Sequence, residues 1–196
     1  IIAVPAGIIS AIRIEYILDH VGMTGALLGQ STPVFWLGIM LILIFSVTIQ
    51  WFPSSGRGSL QHLVLPAITL GMYSMARTAR MMRSSMLEVL GQEYMKTAKA
   101  KGLTPGAVIL KHALKNASIP VVTIVGMELG TLLGGAVITE TIFAWPGVGR
   151  LAVQAIYNRD YPVVQAAVFL LAAIFVLVNL LVDILYTYLD PRVKLK

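Results

Sequence analysis

The sequence predicts an all-α integral membrane fold with about four full spans and a partial first span. Hydrophobic residues make up 57% of the 196-residue chain and charged residues only 12%, about half the ~25% usual in a soluble domain. Mean hydropathy is +0.82. The apolar residues gather into stretches of spanning length, and in hydrocarbon a helix satisfies its own backbone where a loop cannot. No cysteine occurs, which excludes disulfides, thiolate metal sites and Cys nucleophiles. The net charge of +6 is explained by membrane orientation rather than by nucleic acid, because of where the cations fall.

In chain order, Ile1–Ala11 reads as the tail of a span whose beginning precedes the chain, since the apolar run before Arg13 is too short to cross ~30 Å. The start Ile1-Ile2-Ala3-Val4-Pro5 lacks the basic region of a secretory signal. Val34–Ile49 is the centre of a second span that begins near Met23. Leu63–Met82 is the next, with Pro66 in its first turn, where a missing N–H does little harm. Ile119–Ile138 and Ala166–Tyr186 complete the set. Twelve of the fifteen Lys and Arg fall on one side if Arg13, the Arg77–Lys115 region and the C-terminus are placed inside, leaving only Arg57, Arg150 and Arg159 outside. The positive-inside bias selects that topology. Residues 87–116 then form an inner loop and residues 141–161 an outer one. Trp36, Trp51 and Trp145 stand near the predicted interfaces.

The inner loop is the most ordered polar stretch in the sequence. Leu87, Leu90, Tyr94 and Ala98 make one apolar helical stripe, with Glu88, Gln92, Lys96 and Lys99 opposite. Gly102 stops that helix. Thr104 is an N-cap and Pro105 a first helical residue. A second helix runs towards Asn116, and Pro120 marks the start of the next span. The pattern suits either a docking surface for a partner or an amphipathic pair lying on an anionic leaflet, drawn there by Lys96, Lys99, Lys101, Lys111 and Lys115.

The wording of the chain adds to this. The runs RSSMLEVLGQEY at Arg83–Tyr94, EYMKTAKAKGL and HALKNASIPVVT in the loop, TETIFAWPGVGRL at Thr139–Leu151, RDYPVVQ at Arg159–Gln165 and NLLVDILYTYLDPR at Asn179–Arg192 resemble the membrane permeases of dipeptide, oligopeptide and nickel ABC importers. The resemblance covers nearly the whole chain and roughly the last three-fifths of a typical such permease. The loop is similar to the EAA loop of these subunits. The general EAA pattern is kept only at Ala98, Gly102 and Leu114, while the peptide-permease variant is matched closely.

The resemblance implies a type I importer transmembrane fold, in which the loop is a coupling helix seated in a groove of a cytoplasmic ATPase. It implies that Glu93, Tyr94, Thr97, Ala98, Lys99, Lys101, Gly102 and Pro105 form that contact. It also implies a homologous second permease, two ATPase subunits holding ATP and Mg, and an extracytoplasmic substrate-binding protein. The setting would be a bacterial or archaeal inner membrane, with the C-terminus cytoplasmic. No cofactor, metal or catalytic residue is expected on the chain itself.

Within the spans, Gly126, Gly130 and Gly134 recur every four residues and invite close helix packing. Glu128 lies about 200° around the helix from Gly126, near Thr131 and Gly135. A carboxylate there either lines a translocation path with Thr131 or bonds a neighbouring helix. Glu140 belongs at the outer rim, Asp183 near the inner end beside Asn179, and Arg77, Arg80 and Arg83 snorkel to headgroups. Trp145-Pro146-Gly147 reads as a turn before a short helix from Val148 to Tyr157. The resemblance makes Trp145, Pro146, Gly147 and Arg150 a binding-protein contact, and the plain alternative is an interfacial helix with an aromatic anchor. His20, His62 and His112 are isolated and lack metal spacing.

The function expected is a pore-forming subunit of an ATP-driven importer of peptides or a related solute, working by alternating access. The chain has no G-x-x-x-x-G-K-[ST] of its own. A secondary transporter or channel would favour more buried charges and paired broken helices. An intramembrane enzyme would favour H-E-x-x-H or G-x-S-x-G, and neither occurs.

Overall fold

The computed structural model describes residues 2–12, 29 and 31–189, and among these the regular structure is entirely helical. Arg13, expected on the inner side, the start of the second span near Met23 and the basic C-terminus lie outside the described residues. Two compact units divide the chain. Residues 2–12 and 74–126 belong to the first, and residues 31–73 and 127–183 to the second.

In the first unit, helix α1 (Ala3–Ile12) buries Ala3, Gly7 and Ala11, one small residue per turn. A Cβ on Gly7 would lie 2.6 Å from the Ala79 carbonyl oxygen and 2.7 Å from Met82 Cβ. The stripe of small residues therefore lets α1 press against α3 (Gln61–Leu90) backbone to backbone. Below that contact Met82, Met86 and Met95 are fully buried and pack with Val108, Ala113 and Ala117. Unbranched methionine suits such irregular gaps.

Helix α3 has 30 residues and is therefore ~45 Å long, so it runs eight residues beyond the expected span Leu63–Met82. Its last turn takes up Leu87 and Leu90. The chain breaks at Gly91–Gln92, where the Gly91 N–H donates to the Leu87 carbonyl at 3.2 Å and the Gln92 N–H to Val89 at 3.1 Å. Helix α4 (Glu93–Ala100) follows. The expected single helix carrying Leu87, Leu90, Tyr94 and Ala98 is thus two helices. The break re-aims α4 so that Met95 and Ala98 are its buried residues.

A second expectation is corrected beyond Gly102. Helix α5 (Pro105–Ala107), a π-helical stretch (Val108–Ala113) and α6 (Leu114–Ile142) follow one another without interruption. The second loop helix and the next span are one helical run, and Pro120 lies inside α6 rather than at its start. The wider π turns are the local adjustment along this run.

In the second unit, α2 (Val34–Leu41) continues into a π-helical stretch (Ile42–Thr48). Its Gly38 faces Thr69 Cγ2 of α3 and Phe143 just past α6, with a built Cβ 3.3 and 3.4 Å from them. Phe143 is nearly fully buried there. Thr69 and Thr139 are buried too, and each hydroxyl donates to the carbonyl four residues back, at 2.8 and 3.0 Å. That self-satisfaction permits polar residues in the packed interior. Pro66 is the sixth residue of α3, not a first-turn residue, because the helix starts at Gln61.

The Gly126, Gly130 and Gly134 face is used unevenly. Gly130 takes the Phe175 ring of α8 (Tyr161–Leu189), leaving no space for a Cβ, whereas Gly134 has nothing within 4 Å. Asn179 donates to the Phe175 carbonyl at 2.9 Å. Most of α8 is exposed and apolar, including Phe169, Val176 and Leu180. By length and composition the segments Pro105–Gly130 and Tyr161–Ile184 qualify as membrane-crossing helices among the described residues; Ala3–Ile12, Val34–Thr48 and Leu132–Ile142 are shorter apolar helices.

Candidate functional site

Two places gather the residues singled out in the sequence. The first is α4 with its flanking turns. Glu93 opens the helix and pairs with Lys96 at 2.7 Å; both are exposed, so the pair contributes at most about 1 kcal/mol. The Tyr94 hydroxyl accepts a hydrogen bond at 2.9 Å from the Asn116 side chain, which also donates to the His112 carbonyl at 3.1 Å. That contact ties α4 to the first turn of α6. The Thr97 hydroxyl returns to the Glu93 carbonyl at 3.2 Å.

Ala98 faces inward at 8% exposure beside fully buried Met95. The side chain of Lys99 lies outside the described set. Lys101 is exposed, and its N–H closes α4 by donating to Thr97 at 3.1 Å. Gly102 then takes φ +77°, the left-handed conformation that glycine adopts without a Cβ penalty. Thr104 caps the restart, with the Ala107 N–H donating to its hydroxyl at 3.4 Å and Pro105 at the first helical position.

The arrangement is therefore a short helix held from below by Met95 and Ala98, stapled at one side by Tyr94, and bounded by a break at each end. Its polar face is free, and Lys96, Lys101, Lys111 and Lys115 are all exposed around it. A groove of about 400 Å³ opens beside the staple, lined by Glu88, Gln92, Tyr94, Asn116 and Pro120 among others. Such an exposed, rigidly held surface can be gripped.

The second place is the connection from α6 to α7 (Val148–Tyr157). Helix α6 ends in a Schellman motif. The Trp145 N–H donates to the Glu140 carbonyl at 2.8 Å, the Ala144 N–H to Thr141 at 3.4 Å, and Ala144 holds φ +49°. The turn and the helix Val148–Tyr157 are as the sequence indicates. Trp145 is half-buried and Pro146 exposed.

Gly147 and Arg150, however, are turned into the turn itself. The three atoms nearest to a Cβ on Gly147 are all in the Glu140 carboxyl group, close enough to exclude any side chain. The Arg150 N–H donates to Glu140 Oε2 at 2.9 Å, and the Arg150 guanidinium donates to the Ala144 carbonyl. Glu140, expected at the outer rim, is half-buried and packed into this turn. The residues of α7 left exposed are Leu151, Gln154, Ile156 and Tyr157, while Gly149, Ala152 and Ala155 are buried.

Glu128 is buried at 2% exposure within α6, and the side chain of Thr131 lies outside the described set. The part of Glu140 was missed in the sequence. Its signal was an acid followed seven and nine residues later by glycines, Gly147 and Gly149, which together leave space for a carboxylate.

Comparison with known proteins agrees with the resemblance. Residues 3–195 match the family described as "Binding-protein-dependent transport system inner membrane component". The chain is 48% identical over 222 residues to a dipeptide transport system permease protein of Alkalihalophilus pseudofirmus, covering 99% of this chain and 67% of that one. It is 46% identical over 217 residues to a di/tripeptide transport system permease protein of Pseudomonas aeruginosa, covering 96% and 65%. It is also 46% identical over 196 residues to a glutathione transport system permease protein of Escherichia coli, covering 100% and 64%. The chain thus spans about two thirds of the length of the curated relatives it matches. This chain belongs to the family of binding-protein-dependent transport system inner membrane components, all-helical multi-pass permease subunits of ABC importers.

Proposed function

We propose that the chain is a pore-forming permease subunit of an ATP-driven, binding-protein-dependent importer of di- or oligopeptides or a related solute such as glutathione. It moves its substrate by alternating access and is a transport subunit rather than an enzyme. ATP and Mg are bound on two partner ATPase subunits, a homologous permease completes the pore, and a substrate-binding protein delivers the solute from outside. The names of the relatives support the substrate class. The orientation is the one favoured by the Lys and Arg distribution, with α4 and the C-terminus cytoplasmic.

The observation that carries the mechanism is the construction of α4. The eight-residue helix stands between a break at Gly91–Gln92 and a left-handed glycine at Gly102, with Met95 and Ala98 pinned in the core and the polar face outward. In the proposed mechanism the ATPase grips Glu93, Thr97, Lys99 and Lys101, and Tyr94 and Pro105 hold the handle to the start of the run leading into α6. Closure of the ATPase pair then drags the helical body with it. Glu128 and Thr131 are assigned to the translocation path, and the turn at Trp145 and Pro146 to the side that meets the binding protein.

Purification of the importer with an affinity tag on this chain tests the reading. A Walker-motif ATPase should co-purify, and proteoliposomes should take up a dipeptide only with ATP and the binding protein. Gly102→Asp meets open space at its Cβ position, so its strain is confined to the turn. It should abolish uptake with the chain still membrane-inserted and the ATPase still attached. Uptake without ATP, or normal uptake by Gly102→Asp, would overturn the coupling assignment.

A further inference from the structure

Helix α7 begins with a deficit. The first-turn N–H groups of a helix have no partners within it, and Gly147 at the N-cap has no side chain with which to accept one. The acceptor is borrowed from the preceding helix, since Glu140 Oε2 takes the Arg150 N–H at 2.9 Å. A carboxylate is also favoured at that end of the helix dipole.

The neighbouring glycines are explained by the same geometry. At Gly147 any Cβ would occupy the place of the carboxylate. At Gly149 a Cβ would lie 2.7 Å from Val137 Cγ2, 2.8 Å from Val137 Cα and 3.0 Å from Glu140 Oε2. The Arg150 guanidinium closes the other side on the Ala144 carbonyl. The Gly56 N–H, from the preceding long connection, donates to the Phe143 carbonyl at 2.9 Å and joins that connection to the same turn.

We propose that Glu140 is a positioning residue, a remote N-cap that locks α7 onto the end of α6 and so aims the exposed side chains Leu151, Ile156 and Tyr157 at the binding protein. The proposal rests on the functional reading above and deepens it. The turn residues Gly147 and Arg150 serve the lock, and the partner meets the far face of α7.

The test uses the complete importer in nanodiscs, with dipeptide-loaded binding protein titrated against ATP turnover. In Glu140→Ala the binding-protein concentration for half-maximal stimulation should rise about tenfold, with the plateau little changed. Glu140→Gln should stay within about twofold of the parent, because its amide oxygen still accepts from the Arg150 N–H. The double variant Glu140→Ala/Gly147→Ser vacates the carboxylate and supplies a hydroxyl at the N-cap, so it should recover most of the loss.

Glu140→Ala behaving as the parent overturns the proposal. So does Glu140→Gln failing as badly as alanine, since that would mark a charge contact rather than a cap. If Glu140→Ala does not assemble, recovery of assembly and stimulation by the double variant supports the cap, and failure to recover overturns it. A parent importer that shows no stimulation by any binding protein would instead sink the underlying reading.

Discussion

At the scale of single residues, the backbone of Ala144 is the plainest source of untapped stability. It holds φ +49° at the left-handed position of a Schellman motif, where a Cβ costs an L-residue roughly 1–2 kcal/mol. Ala144→Gly removes that cost while loosening the unfolded chain, so the net gain should be at most about 1 kcal/mol. Ala144→Val should lose about 2 kcal/mol or more, because a β-branched side chain tolerates this region worst. Thermal unfolding in detergent, followed by loss of monodisperse protein, orders the three. A melting temperature for Ala144→Gly well below that of the parent would contradict the assignment. Gly102 and Thr104 could be placed from sequence because their signals are local: a glycine past a helix and a Thr-Pro before one. Glu140 could not, because its partners lie seven to ten residues on and become neighbours only once the turn has folded.

At the scale of elements, the same contrast separates α4 from the stripe that announced it. The apolar repeat Leu87, Leu90, Tyr94, Ala98 runs straight through Gly91, so periodicity alone gives one helix. What divides it is tertiary: burying Met95 with Met82 and Met86 requires a new helix axis. Pro120 misled in the opposite direction. A proline usually marks a helix start, but its loss of one hydrogen bond is tolerated inside a membrane helix whose neighbours compensate.

The seat of α4 gives a prediction with a sign. Ala98 is 8% exposed against this core, and overpacking a filled site costs about 1–3 kcal/mol. Ala98→Leu should tilt or lift α4 and cut ATP-coupled peptide uptake at least tenfold, at unchanged membrane abundance. Ala98→Gly, which only empties a methyl, should retain most uptake. Equal activity of the leucine variant would mean that α4 is not held by this contact. Tyr94→Phe removes the acceptor for Asn116 and should cost about 1 kcal/mol of stability, with a smaller effect on uptake than Ala98→Leu.

At the scale of the whole molecule, the deciding feature is how much apolar surface the chain leaves uncovered. Helix α8 exposes Phe169, Val176, Leu177, Leu180, Leu181 and Ile184 along a segment long and apolar enough to cross a bilayer. A soluble chain rarely leaves a face of that size bare, whereas lipid covers it without cost. The class of fold was legible for that reason, as were the long helices α3, α6 and α8. Their limits were not, because helices such as α3 run beyond the hydrocarbon into water, where hydropathy no longer marks an end. The direction of insertion is decided by cations rather than by packing, and it can be read chemically because the chain has no cysteine. Each thiol introduced is therefore unique within these 196 residues. Lys101→Cys, exposed beside α4, should react with a membrane-impermeant maleimide only in inside-out vesicles. Tyr157→Cys, 83% exposed at the end of α7, should react in intact cells or right-side-out vesicles. If the two labelling patterns were exchanged, α4 would face the exterior, no cytoplasmic ATPase could hold it, and the clamp at Glu140 would be aimed at the wrong compartment.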